Sequence, residues 1–271
     1  MKVTILDGYN LIYRARHSVP HWQKDNGYGI VYSFFRSLRP LIEKLDPDKT
    51  YFVLEGRPKL RLDAAADYKG TRAPETDESF HEQKRYIINL MIKGFPIDIL
   101  RHPDYECDDV IGHLVTSTHK EDECTVVSTD TDFIQLYNSC SNFELYNPIR
   151  KDYVKPPLFD YVKWKALRGD SCDNILGFSG IGDKRATDLV ANLEKLNKFL
   201  DAEPDRRAKF KHNQFMIAFH DMVAENKNIS SSGIASDWDL ILKSFNKMNF
   251  NSITNSKSWD KFKNTFSKLE K

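Results

Sequence analysis

Short apolar runs rich in β-forming residues alternate in the first half of the chain with longer segments of helical period. Between the first two runs, apolar residues from Ile30 to Leu45 recur every three or four positions, which predicts an amphipathic helix. Further helices are predicted over His81–Ile92 and Asp108–Ser117. The predicted strands are Val3–Leu6, Tyr51–Leu54, Ile97–Leu100, Thr125–Ser128 and Phe143–Tyr146. This alternation predicts an α/β fold with a largely parallel central sheet flanked by helices.

The pattern changes after Pro156-Pro157, where the β-type runs stop and helical spacing takes over. We therefore predict a sheet-containing core over 1–155 and a helical region over 156–271. The predicted features of the second region are a glycine-rich turn and helix over Gly177–Leu189, a charged segment near Asp201–Lys211, an apolar helix near Met216–Val223 and a polar linker over Asn226–Ser236.

Composition limits the class of protein. The chain has 271 residues, 40% hydrophobic and 12% aromatic, which is enough for a sizeable core and argues against general disorder. The apolar stretch at the N-terminus is too short for a signal peptide, and no run approaches a membrane span, so we expect a cytoplasmic protein that does not bind membranes. The four cysteines form no C-x-x-C pair, which favours reduced thiols and argues against a zinc site.

The charge is unevenly distributed although the net charge is only +1. From Ile241 to the C-terminus there are seven Lys against one Asp and one Glu. A solvated lysine-rich tail explains this segment when it is taken alone. A basic body around an acidic pocket would instead suit a metal site that meets a polyanion.

Acidic residues follow three of the predicted strands. Asp7 and Glu55 come directly after the first two strands, and Asp130 and Asp132 follow the fourth. Parallel sheets place their chemistry outside the carboxyl ends of the strands, so we expect these side chains to meet at one edge.

Two further acidic motifs occur at predicted helix starts. Glu106, Asp108 and Asp109 begin one helix, and Asp170 and Asp173 repeat the three-residue spacing later in the chain. Helix capping and surface solvation explain either motif alone. All nine carboxylates in one place would repel strongly unless cations neutralised them, and all-oxygen ligands select Mg²⁺ or Mn²⁺. Two such ions about 4 Å apart can hydrolyse a phosphodiester.

Six motifs in a fixed order carry a family resemblance. They are Asp7-Gly8-Tyr9-Asn10, the stretch Tyr68-Lys69-Gly70-Thr71-Arg72, Tyr105-Glu106-Cys107-Asp108-Asp109, Thr129-Asp130-Thr131-Asp132, residues 168–175 (RGDSCDNI) and Gly177–Arg185. Over roughly residues 1–195 the chain resembles the flap endonuclease and 5′→3′ exonuclease family, particularly its short stand-alone bacteriophage-type members.

The resemblance implies a fold, an activity and partners. The expected parts are a nuclease core of PIN or 5′-nuclease type over 1–155, a helical arch near 69–95 that orders when DNA threads through it, a helix–three-turn–helix module near 160–200 and a basic C-terminal segment. The implied activity is a structure-specific 5′ nuclease with two Mg²⁺ (or Mn²⁺) ions, cutting DNA at 5′ flaps, overhangs, nicks or gaps. RNA–DNA hybrids are a second expected substrate, and a monomer with a separate polymerase or single-strand-binding partner is expected.

The resemblance also implies the metal ligands. Asp7, Glu55, Glu106, Asp108 and Asp109 would hold the first ion, directly or through water, and Asp130, Asp132, Asp170 and Asp173 would complete the second. One position departs from the family pattern, because Glu55 stands where the family usually has Asp. Glutamate is one methylene longer, so it must fold back or coordinate through water.

The resemblance assigns Lys69 and Arg72 to the scissile phosphate, where fixed cations stabilise the transition state. Tyr68 is expected to stack on a terminal base, and Arg14 to contact the substrate. A glycine-rich turn lets a phosphate approach the backbone, although a plain interhelical turn is an alternative. The expected duplex-binding residues there are Gly177, Gly180, Gly182, Lys184 and Arg185, and the family's turn often also holds K⁺.

Two rival functions stay open at this point. A non-catalytic protein that binds branched DNA could use the same fold, and so could a PIN-like ribonuclease. The retained acids argue against the first rival, and the glycine turn with the Lys69–Arg72 pair argues against the second. No P-loop motif and no recognisable nucleophile motif point to ATP hydrolysis or a hydrolase triad.

Overall fold

A seven-stranded sheet lies at the centre of the structure, a computed structural model that describes residues 1–19, 27–222, 224–232 and 235–270. Its strand order is β6-β5-β4-β1-β2-β3-β9. The strands are β1 Lys2–Asp7, β2 Lys49–Leu54, β3 Asp98–Arg101, β4 Glu123–Val127, β5 Phe143–Asn147, β6 Asp152–Tyr153 and β9 Ser230–Ser232, with a separate hairpin of β7 Gly169–Asp170 and β8 Ile175–Leu176. All five strands predicted from the sequence are confirmed, with bounds shifted by at most two residues.

The five central strands β5, β4, β1, β2 and β3 run parallel, and the two edge strands are antiparallel to their neighbours. The chain passes from β1 to β2 and β3 on one side and then returns to place β4 on the other side of β1. This reversal creates a crevice at the carboxyl ends of β1 and β4, which is where open α/β sheets bind their ligands.

Twelve helices surround the sheet in the described part of the chain. They are α1 Gly8–Ser18, α2 Gly29–Leu45, α3 Lys59–Ala64, α4 Glu78–Gly94, α5 Cys107–His113, α6 Tyr161–Arg168, α7 Asp183–Val190, α8 Leu193–Asp201, α9 Arg206–Ile217, α10 Trp238–Lys247, α11 Asn251–Thr254 and α12 Ser256–Ser267. A π-helical turn, Leu114–Thr118, extends α5, and 3₁₀ turns lie at Thr131–Asn138, Ser171–Asp173 and Asn226–Asn228. No described helix has both the length and the apolar character needed to cross a bilayer.

Alternating strand residues build two cores on opposite faces of the sheet. Leu6 and Phe52 belong to one core, whereas Ile5 and Val53 belong to the other. Helices α1, α2, α4, α10 and α12 contribute to the first, and α5 with the turn at Leu114–Thr118 contributes to the second. Successive side chains of a strand point to opposite faces of the sheet, which explains this division.

A third core holds the helical module together. It joins residues of α6, α7, α8 and α9 with Tyr68 from the connection between α3 and α4. The helix–three-turn–helix module was predicted near 160–200, and this range contains α6, the β7–β8 hairpin, α7 and most of α8. The hairpin was not predicted, because two-residue strands leave no periodic pattern.

The C-terminal segment corrects the predicted domain division. Ile241 and Phe245 of α10 and Phe262 and Phe266 of α12 are buried in the first core, beside α2 and α4. The strand β9 pairs with β3, although its sequence was predicted to be part of a polar linker. The chain therefore returns to the nuclease core after the helical module, and its lysine-rich end is not a solvated tail.

The predicted arch and one predicted helix also need correction. Helix α4 buries Phe80, Ile87 and Met91 in the first core, so most of the range 69–95 is a core helix; only residues 65–77 join α3 to α4 without helix. The predicted helix near Met216–Val223 is wrong, because α9 ends at Ile217; Val223 itself lies outside the described residues. The charged segment before it begins α9 instead.

Candidate metal centre

Asp7 lies at the sheet reversal, as the last residue of β1 and the N-cap of α1. Its Oδ1 accepts the backbone N–H of Asn10 at 3.1 Å, and its Oδ2 accepts the hydroxyl of Ser128 at 2.7 Å. Burial raises the pKa of Asp7 to about 7, and the nearby charges of Asp130 and Glu55 act in the same direction. The carboxylate is held in place by neutral donors rather than by a cation.

Cys107 and Asp108, in the first turn of α5, face Asp7. The Cys107 Sγ lies 3.2 Å from Oδ1 of Asp108 and 3.9 Å from Oδ1 of Asp7. Ligand atoms of all three residues lie within 4.8 Å of one another. Burial raises the pKa of Asp108 well above its usual value, and the charges of Asp130, Asp7 and Glu55 add to this.

Glu55 and Asp130 complete this side of the site. Oε2 of Glu55 accepts the backbone N–H of Cys107 at 3.4 Å, so its extra methylene is used to reach the start of α5. Asp130 follows β4, is exposed, and its charge raises the pKa values of both Asp7 and Asp108. We call Asp7, Glu55, Asp108 and Asp130 the first carboxylate group.

The second carboxylate group consists of Glu106, Asp132, Asp170 and Asp173, which line one small polar cleft together with Asp108. Lys165 of α6 contacts Oδ1 of Asp132, and its Nζ lies 2.6 Å from Oδ2 of Asp170. Burial raises the pKa of Asp132 to about 6, although Lys165 acts against this. Burial would also raise the pKa of Asp170, but the hydrogen bond and charge of Lys165 outweigh it and bring this pKa below its usual value.

Lys165 was missed in the sequence. It occupies a buried position of α6, four residues after buried Tyr161, where an apolar side chain would be expected. A lysine on the apolar face of an amphipathic helix was the one available signal, because buried lysines need a charged partner.

Tyr68, Lys69 and Arg72 bring the connection between α3 and α4 to the same cleft. Lys69 contacts Glu106, and Arg72 contacts Asp173. The Tyr68 hydroxyl lies 3.0 Å from an oxygen of Glu106 and 3.0 Å from an oxygen of Asp173 and can donate to either. Lys69 has a φ of 55°, an uncommon backbone conformation for a residue with a side chain.

Two of the expected roles do not match these positions. Tyr68 is only 6% exposed and packs in the third core, so the prediction that its ring stacks on a terminal base is wrong. Asp109 is buried in a bidentate pair with Arg61, at 2.7 and 3.0 Å, and also accepts the backbone N–H of His220 at 2.9 Å. Because both oxygens of Asp109 already accept hydrogen bonds, these contacts argue against direct coordination of a metal, and coordination through water stays a prediction. No sequence motif marked Arg61 as its partner.

Arg14, Lys184 and Arg185, which are expected to contact DNA, form no described ion pair with the carboxylates of the two groups. Arg14 is half-buried, and its guanidinium donates to Pro148 O at 3.3 Å and Ser37 Oγ at 3.0 Å. Lys184 and Arg185 are exposed in the first turn of α7, and the Arg185 guanidinium lies 3.4 Å from Gly180 O. Their contacts with DNA stay a prediction.

The glycines of the turn before α7 have separate structural reasons. A Cβ on Gly177 would lie 2.0 Å from the carbonyl oxygen of Arg168, so this glycine allows the hairpin to pack on the end of α6. Gly180 has a φ of +72°, which favours glycine. Gly182 is exposed at the N-cap of α7, and a Cβ there would meet open space. Packing therefore accounts for Gly177 and backbone conformation for Gly180, whereas neither accounts for the glycine at position 182.

Comparison with known proteins identifies the family. The profile of the 5′-3′ exonuclease N-terminal resolvase-like domain matches residues 2–160. A 5′-3′ exonuclease of Mycoplasmopsis pulmonis is 29% identical over 74% of this chain and 70% of its own length. DNA polymerase I of Bacillus subtilis is 28% identical over 85% of this chain, but the matched region spans only 28% of that polymerase.

Solved structures of similar fold include known nucleases. The flap endonuclease D15 of bacteriophage T5, in a complex with DNA and metal ions, matches with a TM-score of 0.63 and 18% identity over 100% of both chains. Flap endonuclease-1 of Methanococcus jannaschii matches with a TM-score of 0.62 and 18% identity, over 98% of this chain and 93% of its own. With its matched domain covering more than half of its residues, the chain belongs to the 5′-3′ exonuclease family.

Proposed function

We propose that this protein is a structure-specific 5′ nuclease that hydrolyses phosphodiester bonds of DNA with the help of divalent metal ions. The observation that carries the proposal is the gathering of eight carboxylates, from segments as far apart as Asp7 and Asp173, at the carboxyl edge of the sheet. Capping of single helices does not account for this gathering. Relatives of similar sequence or fold are named as 5′-3′ exonucleases and flap endonucleases.

The donor set fits hard divalent cations. In the described part of the chain, no Lys or Arg forms an ion pair with Asp7, Glu55, Asp108 or Asp130, and desolvation raises the pKa values of Asp7, Glu55 and Asp108. We propose that the first carboxylate group holds one Mg²⁺ or Mn²⁺ and that the second group holds another. This places Asp130 with the first ion and Glu106 with the second, the reverse of the assignment that the resemblance implies. Two such ions, when bound, activate water and stabilise the leaving oxygen. One solved structure of similar fold, T5 5′-exonuclease, is named as having divalent metal ions (zinc) bound, and another, T5 D15, as co-crystallised with metal ions.

The chain's own side chains position these carboxylates and the phosphate. Ser128 fixes Asp7, and Lys165 keeps Asp132 and Asp170 together despite their like charges. Lys69 and Arg72 lie on the carboxylates of the second group, where they can exchange this contact for the oxygens of a phosphate. A fixed cation there stabilises the charge that develops during cleavage.

The expected substrates are DNA molecules with 5′ flaps, overhangs, nicks or gaps, with RNA–DNA hybrids as a second class. Contacts from the turn at 177–182 and from Lys184 and Arg185 to the sugar-phosphate backbone would give affinity without sequence specificity. A K⁺ ion at this turn, a monomeric state, a separate polymerase or single-strand-binding partner and a cytoplasmic location are parts of the same proposal.

Replacement of single carboxylates tests the proposal. Asp130→Asn and Asp170→Asn should each abolish cleavage of a labelled 5′-flap DNA in Mg²⁺, because each removes a metal-facing charge while keeping the side-chain volume. Binding of the same DNA should stay measurable by fluorescence anisotropy in Ca²⁺. Asp239→Asn, at an exposed position in the first turn of α10, is the control and should cut like the unchanged protein.

The same assay distinguishes a nuclease from a non-catalytic protein that binds branched DNA. Full cleavage by Asp130→Asn or Asp170→Asn would refute the assignment of the site. Tight flap binding by the unchanged protein with no Mg²⁺-dependent cleavage would instead favour a non-catalytic DNA-binding protein on the same fold.

A further inference from the structure

A thiol lies among the oxygen ligands of the first carboxylate group. We propose that Cys107 is a metal ligand that, together with Asp7 and Asp108, makes this position bind thiophilic divalent cations such as Zn²⁺ or Cd²⁺ more tightly than Mg²⁺. The inference rests on the proposed metal position at the first carboxylate group. Cys107 would add a sulfur ligand, and with it a preference among metal ions, to a position whose other proposed ligands are oxygens.

The distances around the thiol suit a shared ion. A tetrahedral ion with metal–sulfur and metal–oxygen bonds of about 2.3 and 2.0 Å holds its sulfur and oxygen ligands about 3.5 Å apart. The Cys107 Sγ lies 3.2 Å from Asp108 Oδ1 and 3.9 Å from Asp7 Oδ1, on either side of this value. All three ligand atoms can therefore reach one ion with only small movements.

Secondary contacts hold the three ligands in this arrangement. Oδ2 of Asp7 accepts the Ser128 hydroxyl and Oδ1 accepts the backbone N–H of Asn10, and together these contacts hold Oδ1 on the side of the thiol. The backbone N–H of Cys107 donates to Glu55 at 3.4 Å, which fixes the start of α5 beside the strand ends. Contacts that orient ligands in this way usually strengthen metal binding.

The chemistry of the donor set then decides the selectivity. Thiolate ligands favour Zn²⁺ and other soft or borderline ions, whereas Mg²⁺ prefers oxygen. In the metal-free structure the Cys107 S–H is placed to donate to Oδ1 of Asp108 and Oδ1 of Asp7. On binding, the S–H bond is replaced by an S–metal bond, and the proton passes to solvent.

The other cysteines provide controls. Cys124 is buried in the same core as Cys107, but its Sγ contacts the carbonyl oxygen of His119 at 3.6 Å, and no group of metal ligands includes it in the described residues. Zinc was discounted from the sequence because no C-x-x-C motif is present. The fold instead brings Cys107 to Asp7, one hundred residues away in the chain.

Cadmium titration of the metal-free full-length protein tests the proposal without relying on cleavage. The unchanged protein and Cys124→Ala should both develop a thiolate-to-Cd²⁺ charge-transfer band in the ultraviolet as one ion binds. Cys107→Ala should lose this band and bind Cd²⁺ at least about tenfold more weakly. Cys107→Ser, which keeps the side-chain volume, should behave like Cys107→Ala, and matching thermal unfolding midpoints will show that the variants are folded.

Two results would overturn the proposal. One is the absence of the band from the unchanged protein, and the other is its persistence in both Cys107 variants. Failure of the proposed nuclease function would be recognised separately, as the absence of flap cleavage in Mg²⁺ by the unchanged protein.

Discussion

The two carboxylate groups differ in what neutralises them. Lys165, Lys69 and Arg72 contact the second group, whereas the first group, which includes the buried Asp7, forms no ion pair with any described Lys or Arg. Desolvation disfavours the charged form of a carboxylate, and neighbouring carboxylates add to the effect. In the metal-free protein Asp7, whose pKa is raised to about 7, should therefore exchange a proton near neutral pH, which makes the stability of the fold depend on pH.

The sign of this dependence follows from the raised pKa of Asp7. A carboxyl with a pKa of about 7 in the folded state and an ordinary value when unfolded stabilises the fold at low pH, and this contribution is lost as the pH rises towards and through 7. In EDTA, the thermal unfolding midpoint should fall between pH 6 and pH 8. Asp7→Asn should show a smaller fall because position 7 no longer titrates. An equal fall of the unfolding midpoint in the unchanged protein and in Asp7→Asn would contradict the assignment of this pH dependence to Asp7.

At the scale of elements, periodicity predicted the strands and the long helices well. The errors came where contacts between distant segments decide the structure. The serine-rich strand β9 forms because it pairs with the edge of β3. Its sequence shows no alternation of apolar and polar side chains that would predict a strand. The helix predicted over His81–Ile92 lies within α4, whose Phe80, Ile87 and Met91 pack in the first core, although the resemblance placed the same residues in a helical arch near 69–95.

The placement of the C-terminal helices can be tested by one substitution. Phe266 of α12 is fully buried, and its ring lies 5.0 Å from that of Phe95. Phe266→Ala should lower the free energy of unfolding by about 3–5 kcal/mol, measured by urea denaturation, because it leaves a cavity in the first core. Phe215→Ala is the matched control, since Phe215 is 41% exposed on α9 and should cost far less. Equal small losses would mean that the C-terminal segment does not belong to the core.

At the scale of the whole molecule, topology explains how much of the site could be predicted. Residues that end parallel strands must meet at one edge, so Asp7, Glu55 and Asp130 could be brought together from the sequence. The partners of these side chains could not be predicted from the sequence. The pairing of Asp109 with Arg61 and the position of Lys165 depend on how α3, α5 and α6 pack. Such packing leaves no local pattern in the chain.

The most direct test of the central claim is metal-dependent cleavage of a 5′-flap DNA labelled at its 5′ end, with the products mapped to nucleotide resolution. If the clustered acids work by holding divalent ions, the unchanged protein should release short products cut near the junction in Mg²⁺. It should release none in EDTA, and restored Mg²⁺ should restore cutting. Cleavage that continues at the same rate in excess chelator would contradict the account.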